Sequence, residues 1–174
     1  MATWISDALH SEAQFKVKHL MVSTVTGHFE QFNAAMDAEQ EDFTDAAISF
    51  EADINSINTK NEQRDQHLKS DDFFNAEQYP KMKFQSSNFE KVSDSDYKLH
   101  GNLTIRDVTL PVVLDVEYGG VTNDAYGRTI AGFELSGKIK RKDFGLKWHA
   151  TTEAGGVVVS DEVKIQANIE MVKQ

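Results

Sequence analysis

The chain has 174 residues, 40% of them hydrophobic and 26% charged, with a formal net charge of −10. That length and balance fit one domain with its own core and exclude a disordered chain; no run of about 18 apolar residues exists to cross a bilayer as a helix. The acidic balance argues against nucleic acid, whose phosphates need a basic surface, and the lack of cysteine excludes disulfides and thiolate metal sites.

Most of the chain alternates apolar with polar residues, the mark of half-buried strands. Residues 3–5 read as a short first strand. In residues 13–19, Ala13, Phe15, Val17 and His19 face one way and Gln14, Lys16 and Lys18 the other. Residues 24–36 continue the pattern, but Phe29 and Phe32 fall on opposite faces unless a bulge intervenes, expected near Gly27 or Asn33. Glu39, Glu41, Asp42 and Asp45 read as a solvated loop. Ile48, Phe50, Ala52 and Ile54 form the next inward row.

Residues 59–80 break the alternation. Thr59-Lys60-Asn61-Glu62 fits a capping box with Thr59 as the cap. Asp65 and Lys69 stand four apart with the acid first, and Arg64, His67 and Leu68 share one helical face. One short helix is expected near residues 60–69, followed by an inward aromatic pair, Phe73-Phe74. Pro80 ends the excursion.

Strand patterning then resumes with Met82, Phe84 and Ser86, a polar turn at residues 93–96, and the row Tyr97, Leu99, Gly101, Leu103, Ile105. A turn at Arg106-Asp107 leads to Val112, Leu114, Val116 and Tyr118. Gly119-Gly120 and Asn123-Asp124 read as the next loop. Ala131, Phe133, Leu135, Gly137 and Ile139 face inward, as do Val163, Ile165, Ala167, Ile169 and Met171 in the last strand. About eight long strands with hairpin connections predict a single all-β domain, either a closed antiparallel barrel or a large sandwich. An eight-stranded barrel has room for side chains or one small ligand, and the pattern leaves open whether the interior is solid.

The histidines give no metal signature: His10, His19 and His28 are nine apart, unlike zinc spacings. By parity His19 points inward as a core or cavity-mouth residue bonded to a neighbour, and a metal site built from His19, His67 or His149 is a minor alternative. Ser11, His10 and Asp7 superficially suggest a hydrolase, but neighbouring strand residues face opposite ways, and no GxSxG elbow exists. No catalytic or metal-binding residue is assigned. Arg64 is expected to be structural, reaching oxygens on adjacent strands.

Several blocks resemble one family. His19-Leu20 followed by residues 23–29, STVTGHF, resembles the HLxVSxVxGxF signature of the YceI-like polyisoprenoid-binding family. Arg64-Asp65-Gln66-His67-Leu68, Asp72-Phe73-Phe74 and Tyr79-Pro80 follow in the family's order. Residues 101–112, GNLTIRDVTLPV, are similar to GxLTIRGVTKPV, and residues 141–146, RKDFGL, to RxDFGL. Asp107 and Leu110 depart from that pattern. The resemblance implies an extended eight-stranded antiparallel lipocalin-like barrel with an apolar tunnel. It also implies a bound isoprenoid lipid, such as a polyprenyl phosphate or a quinone, in place of any cofactor, and a homodimer. Many members are periplasmic; here the absence of an export signal predicts a cytoplasmic protein, or a periplasmic one if a leader has been removed.

A tunnel needs length and apolar lining more than chemistry, since each buried methylene gains about 0.8 kcal/mol. The residues expected to contact the lipid are Phe15, Val17, His19, Phe29, Phe50, Ile54, Arg64, His67, Phe73, Phe74, Phe84, Leu103, Ile105, Leu114, Phe133 and Leu135. Ala131→Trp on the same inward face is expected to displace it. The resulting expectation is non-enzymatic binding, storage or transport of a long apolar lipid. The alternatives are an enzyme using His19, Arg64 or His67, and a structural or stress-related protein with a filled barrel.

Overall fold

The computed structural model describes residues 2–148 and 158–174. Its strands are β1 (Ala2–Ser6), β2 (Glu12–His19), β3 (Ser23–Phe29), β4 (Phe32–Ala38), β5 (Ala47–Asp53), β6 (Ile57–Asn58), β7 (Lys81–Lys91), β8 (Asp96–Ile105), β9 (Val108–Asn123), β10 (Thr129–Lys140) and β11 (Val159–Lys173), with one α-helix, α1 (Glu62–Lys69). The eleven segments make eight staves, because β1 with β2, β3 with β4, and β5 with β6 are single runs broken by a bend. Each stave pairs antiparallel with the next in sequence, and β11 returns to pair with both β1 and β2. The sheet therefore closes on itself and leaves no free edge along its length.

Closure follows from the alternation. Along β8, Tyr97, Leu99, Leu103 and Ile105 are each at most 5% exposed, with Gly101 buried in the same row, while Lys98, His100, Asn102 and Thr104 alternate outward. The expected bulge between Phe29 and Phe32 falls at Glu30-Gln31, not at Gly27 or Asn33, and it brings both rings onto the inner face. Gly119-Gly120 do not form a loop. They lie inside β9, where Tyr118 pairs with Phe133 and Gly120 with Gly132, so Gly119 is an extra residue and Gly120 takes φ +102. The connection to β10 comes later, at residues 124–128.

Strand directions give the barrel two different ends. At one end stand the start of β1, the connections at residues 39–46, 92–95 and 124–128, and the end of β11. The acidic connection 39–46 is not simply a solvated loop: Phe43, 3% exposed and at φ +62, turns into the barrel. Its ring meets Trp4, Tyr118 and Phe133 edge-on at 5.4, 5.6 and 5.7 Å, and the Tyr97 hydroxyl donates to the Asp42 carbonyl at 2.7 Å. This aromatic cluster closes that end. The other end carries the β2–β3 turn, α1, the Arg106 turn and residues 141–148.

Helix α1 starts two residues later than its capping box suggests. Asn61 is the cap, its side-chain oxygen accepting from the Arg64 amide at 3.0 Å. Thr59, 4% exposed, is instead the anchor beneath the helix. Its amide and hydroxyl donate to Asp65 at 2.9 and 2.5 Å, which turns Asp65 away from the expected partner Lys69.

Candidate functional site

Inside the barrel lies a cavity of about 400 Å³, whose lining runs from His19 at the open end to Phe133 of the aromatic cluster. That volume is more than an order of magnitude above the roughly 10–15 Å³ a single water needs, and an apolar void of this kind takes organic guests in preference to water. The barrel is therefore not filled by its own side chains. Two glycines help keep it open. The Phe15 ring lies on Gly27 of the neighbouring strand, and the Phe84 ring lies on Gly101, each so close that a Cβ there would collide. The rings are thereby pressed against the wall and not across the lumen.

Of the sixteen residues expected at the ligand, fourteen line this cavity: Phe15, Val17, His19, Phe29, Phe50, Arg64, His67, Phe73, Phe74, Phe84, Leu103, Leu114, Phe133 and Leu135. Ile54 and Ile105 do not. They are 2% and 3% exposed and belong to the packed core. Ala131 is likewise inward but walled off, at 1% exposed beyond the cavity lining, so a tryptophan there overpacks the core and does not reach a guest. Parity along a strand tells in from out. It does not tell void from packed core.

α1 and the segment after it form one wall. Phe73 and Phe74 are 6% and 9% exposed; Phe74 meets Phe29 at 6.1 Å, and Phe73 meets Trp148 at 5.5 Å. His67 packs edge-on against both Phe73 and Trp148, and its Nε2 pairs with Asp72 at 2.8 Å. His19 and Lys18 line the cavity yet are exposed, so the cavity reaches the surface at the β2 end. Contrary to expectation, the His19 side chain makes no hydrogen bond among the described residues. His149 lies outside the described residues.

Arg64 reaches Thr59, just past β6, and not the adjacent strands: Nε donates to Oγ1 at 2.8 Å and Nη2 to the carbonyl at 2.6 Å. Arg64→Ala leaves those acceptors unpaired under the helix, and a loss of about 1–3 kcal/mol is expected. Thermal melts check it; an unchanged melting temperature with weakened lipid retention would move Arg64 from the scaffold to the ligand.

Among the wall residues that sequence reasoning missed are Trp148 and Arg141. Arg141 is 3% exposed and lines the cavity. It donates to four carbonyls, those of Ser160 (2.9 Å), Leu146 (2.7 Å), Trp148 (2.7 Å) and Val159 (3.2 Å). Its guanidinium also stands 6.0 Å from the centre of the Phe73 ring. Burial pulls its pKa below the ordinary arginine value, partly offset by Asp161. The only sequence signal for it was its place in the RKDFGL block.

Outside the cavity, Asp7, His10 and Glu170 bring three possible metal ligands within 4.8 Å of one another. A protein cation already serves Asp7: Arg128 Nη2 lies 3.3 Å from it, His10 Nδ1 lies 3.0 Å from the same oxygen, and the Leu9 amide donates to its other oxygen at 3.0 Å. Ser11 bonds instead to the Glu170 backbone, so the three residues do not form a hydrolytic relay. The hydrogen bond from His10 holds Asp7 below its ordinary 3.8, and the same bond holds His10 above its ordinary 6.5. The His10 contribution to stability is thus complete below pH 6.5 and lost as pH rises through its raised pKa. That of Asp7 is complete above 3.8 and lost as pH falls through its lowered one. In an NMR titration, His10 is expected to titrate above 6.5 and to fall back towards it in Asp7→Asn; a midpoint at or below 6.5 in the parent protein would refute the pairing.

An eight-stranded meander barrel, closed by aromatics at one end and holding an apolar cavity open at the other, defines a lipocalin-like barrel. More specifically, the chain belongs to the YceI-like domain family, whose model matches residues 4–171. It is 38% identical over 171 residues to a UPF0312 protein of Staphylococcus aureus, covering 98% of this chain and 97% of that one. Among solved structures it is similar to a Campylobacter jejuni YCEI protein, at TM-score 0.76 and 36% identity over 90% of each chain. It also shares its fold with Burkholderia cenocepacia BcnA, at TM-score 0.80 and 22% identity over 95% of this chain and 98% of that one. A polyisoprenoid binding domain from Saccharophagus degradans has the same fold, at TM-score 0.70 and 15% identity over 98% of each chain.

Proposed function

We propose that this protein binds one long apolar lipid, of the isoprenoid class, and holds it out of water for storage or transport without transforming it. The observation that carries this reading is the cavity itself: about 400 Å³, walled largely by phenylalanine, leucine and valine, and reaching the surface at the β2 end. A flexible hydrocarbon chain gains about 0.8 kcal/mol for each methylene placed there, which needs no directional contact. The polar side chains facing the cavity, Arg64, His67 and Arg141 among them, gather at the open half beside α1. They are mainly donors, so an acceptor-rich head such as a phosphate or a quinone suits that end. The polyisoprenoid binding described for the Saccharophagus degradans domain supports the same ligand class.

Solvent extraction of the purified protein, followed by mass spectrometry, tests this. A stoichiometric isoprenoid lipid is the expected result. Protein that carries no lipid and takes up none from added polyprenol would overturn the reading.

A further inference from the structure

The β2–β3 turn is built from residues that a turn of its shape disfavours. The Val22 amide closes it onto the His19 carbonyl at 3.2 Å, with Leu20 at φ +53 and Met21 at φ +59. Two consecutive left-handed residues are the pattern of a type I′ turn, whose usual occupants are Asn and Gly. Here two large apolar side chains carry that strain, and they gain little by burial: Leu20, Met21 and Val22 are 40%, 61% and 83% exposed. The tip stands at the rim of the cavity, directly after His19, which lines it.

The outer wall beside the tip is unusual in a second, independent way. Across β10, β11 and β2 the register sets Lys138 opposite Lys164 and Lys164 opposite Lys16. Like charges directly opposite one another destabilise a sheet. Lys18 and Lys140 extend this patch towards the open end, with Glu162 as the acid among them. Further from the mouth the same wall changes character, and Glu134 and Glu12 flank Asn168. In a chain of net charge −10, lysines are thus concentrated on the half-wall next to the exposed apolar tip.

We infer that this end of the barrel docks onto an anionic lipid bilayer, with Leu20, Met21 and Val22 entering the headgroup–acyl boundary and the lysine patch facing lipid phosphates. A bilayer offsets both costs at once, since it buries the apolar tip and neutralises the lysine row. The acidic remainder of the protein is repelled by the same surface, which leaves one docking orientation, with the cavity mouth against the membrane. As a route for loading the cavity, the docking rests on the lipid-binding reading above.

Co-flotation with phosphatidylcholine vesicles, with and without phosphatidylglycerol, tests the inference. The parent protein is expected to float with the anionic vesicles and to be released by high salt. Met21→Asp should reduce the bound fraction at least about tenfold, and Lys16→Glu with Lys164→Glu by about fivefold or more for each lysine. Leu20→Asn with Met21→Gly provides the discriminating case: it relaxes the turn, so melting temperature should rise while vesicle binding falls. Polyprenol added without vesicles should still be taken up by all these variants, whose substitutions lie outside the cavity lining, so loss of docking and failure of the lipid-binding reading remain distinguishable. The inference is overturned if the parent protein ignores anionic vesicles, or if Met21→Asp floats as well as the parent. It is equally overturned if sedimentation without vesicles shows a dimer that Met21→Asp splits, because the tip then belongs to a second copy of the chain.

Discussion

Replacing Arg141 with methionine is expected to destabilise the barrel by about 2–6 kcal/mol, because at least two buried carbonyls each lose a donor at about 1–3 kcal/mol. The guanidinium ties β11, through Ser160 and Val159, to the segment at Leu146 and Trp148. No single-nitrogen side chain spans those four oxygens. Arg141→Lys should therefore cost nearly as much as Arg141→Met, even though it keeps the charge. Urea denaturation of both variants measures this. A lysine variant with the parent's midpoint would show that charge at this site matters and the fork geometry does not.

The second large effect concerns the cavity. Ala167 lies in mid-β11, between Leu135 and Ala13 across the two adjacent strands, and all three line the cavity. In Ala167→Trp the indole is expected to occupy the space of the lipid, so extracted lipid should fall at least about tenfold while the protein stays folded. The matched control is Ala131→Trp, which has no void to enter and should cost about 1–3 kcal/mol or more through overpacking. Lipid content and melting temperature of the two variants thus move in opposite ways. If both variants lose stability alike and both keep their lipid, the cavity is not where the lipid resides.

Much of the barrel was legible because one face of every stave is apolar, and period-two alternation reports that directly. Rows such as Tyr97–Leu99–Leu103–Ile105 could be read without any contact information. The helix was legible too, though not its cap: the Thr59–Glu62 box pointed to Thr59, whereas Asn61, the stronger capping type, takes the role and Thr59 is buried beneath Arg64. Phe43 was hidden because acidic and polar neighbours made the segment read as solvated, and a phenylalanine in left-handed backbone has no local signature. Gly119-Gly120 read as a loop because a bulge and a turn use the same residue. Ile54, Ile105 and Ala131 were inward as expected, but their depth along the barrel, and so their place in packed core, follows from register and closure. Arg141 was invisible to patterning, since its burial rests on carbonyls contributed by two separate places in the chain, residues 146–148 and 159–160.

Native mass spectrometry of the intact protein tests the central claim most directly. The account predicts a folded species heavier than the polypeptide by the mass of one isoprenoid lipid, with Ala167→Trp appearing at its bare polypeptide mass. A folded parent protein at bare polypeptide mass that stays so after incubation with polyprenol would contradict it.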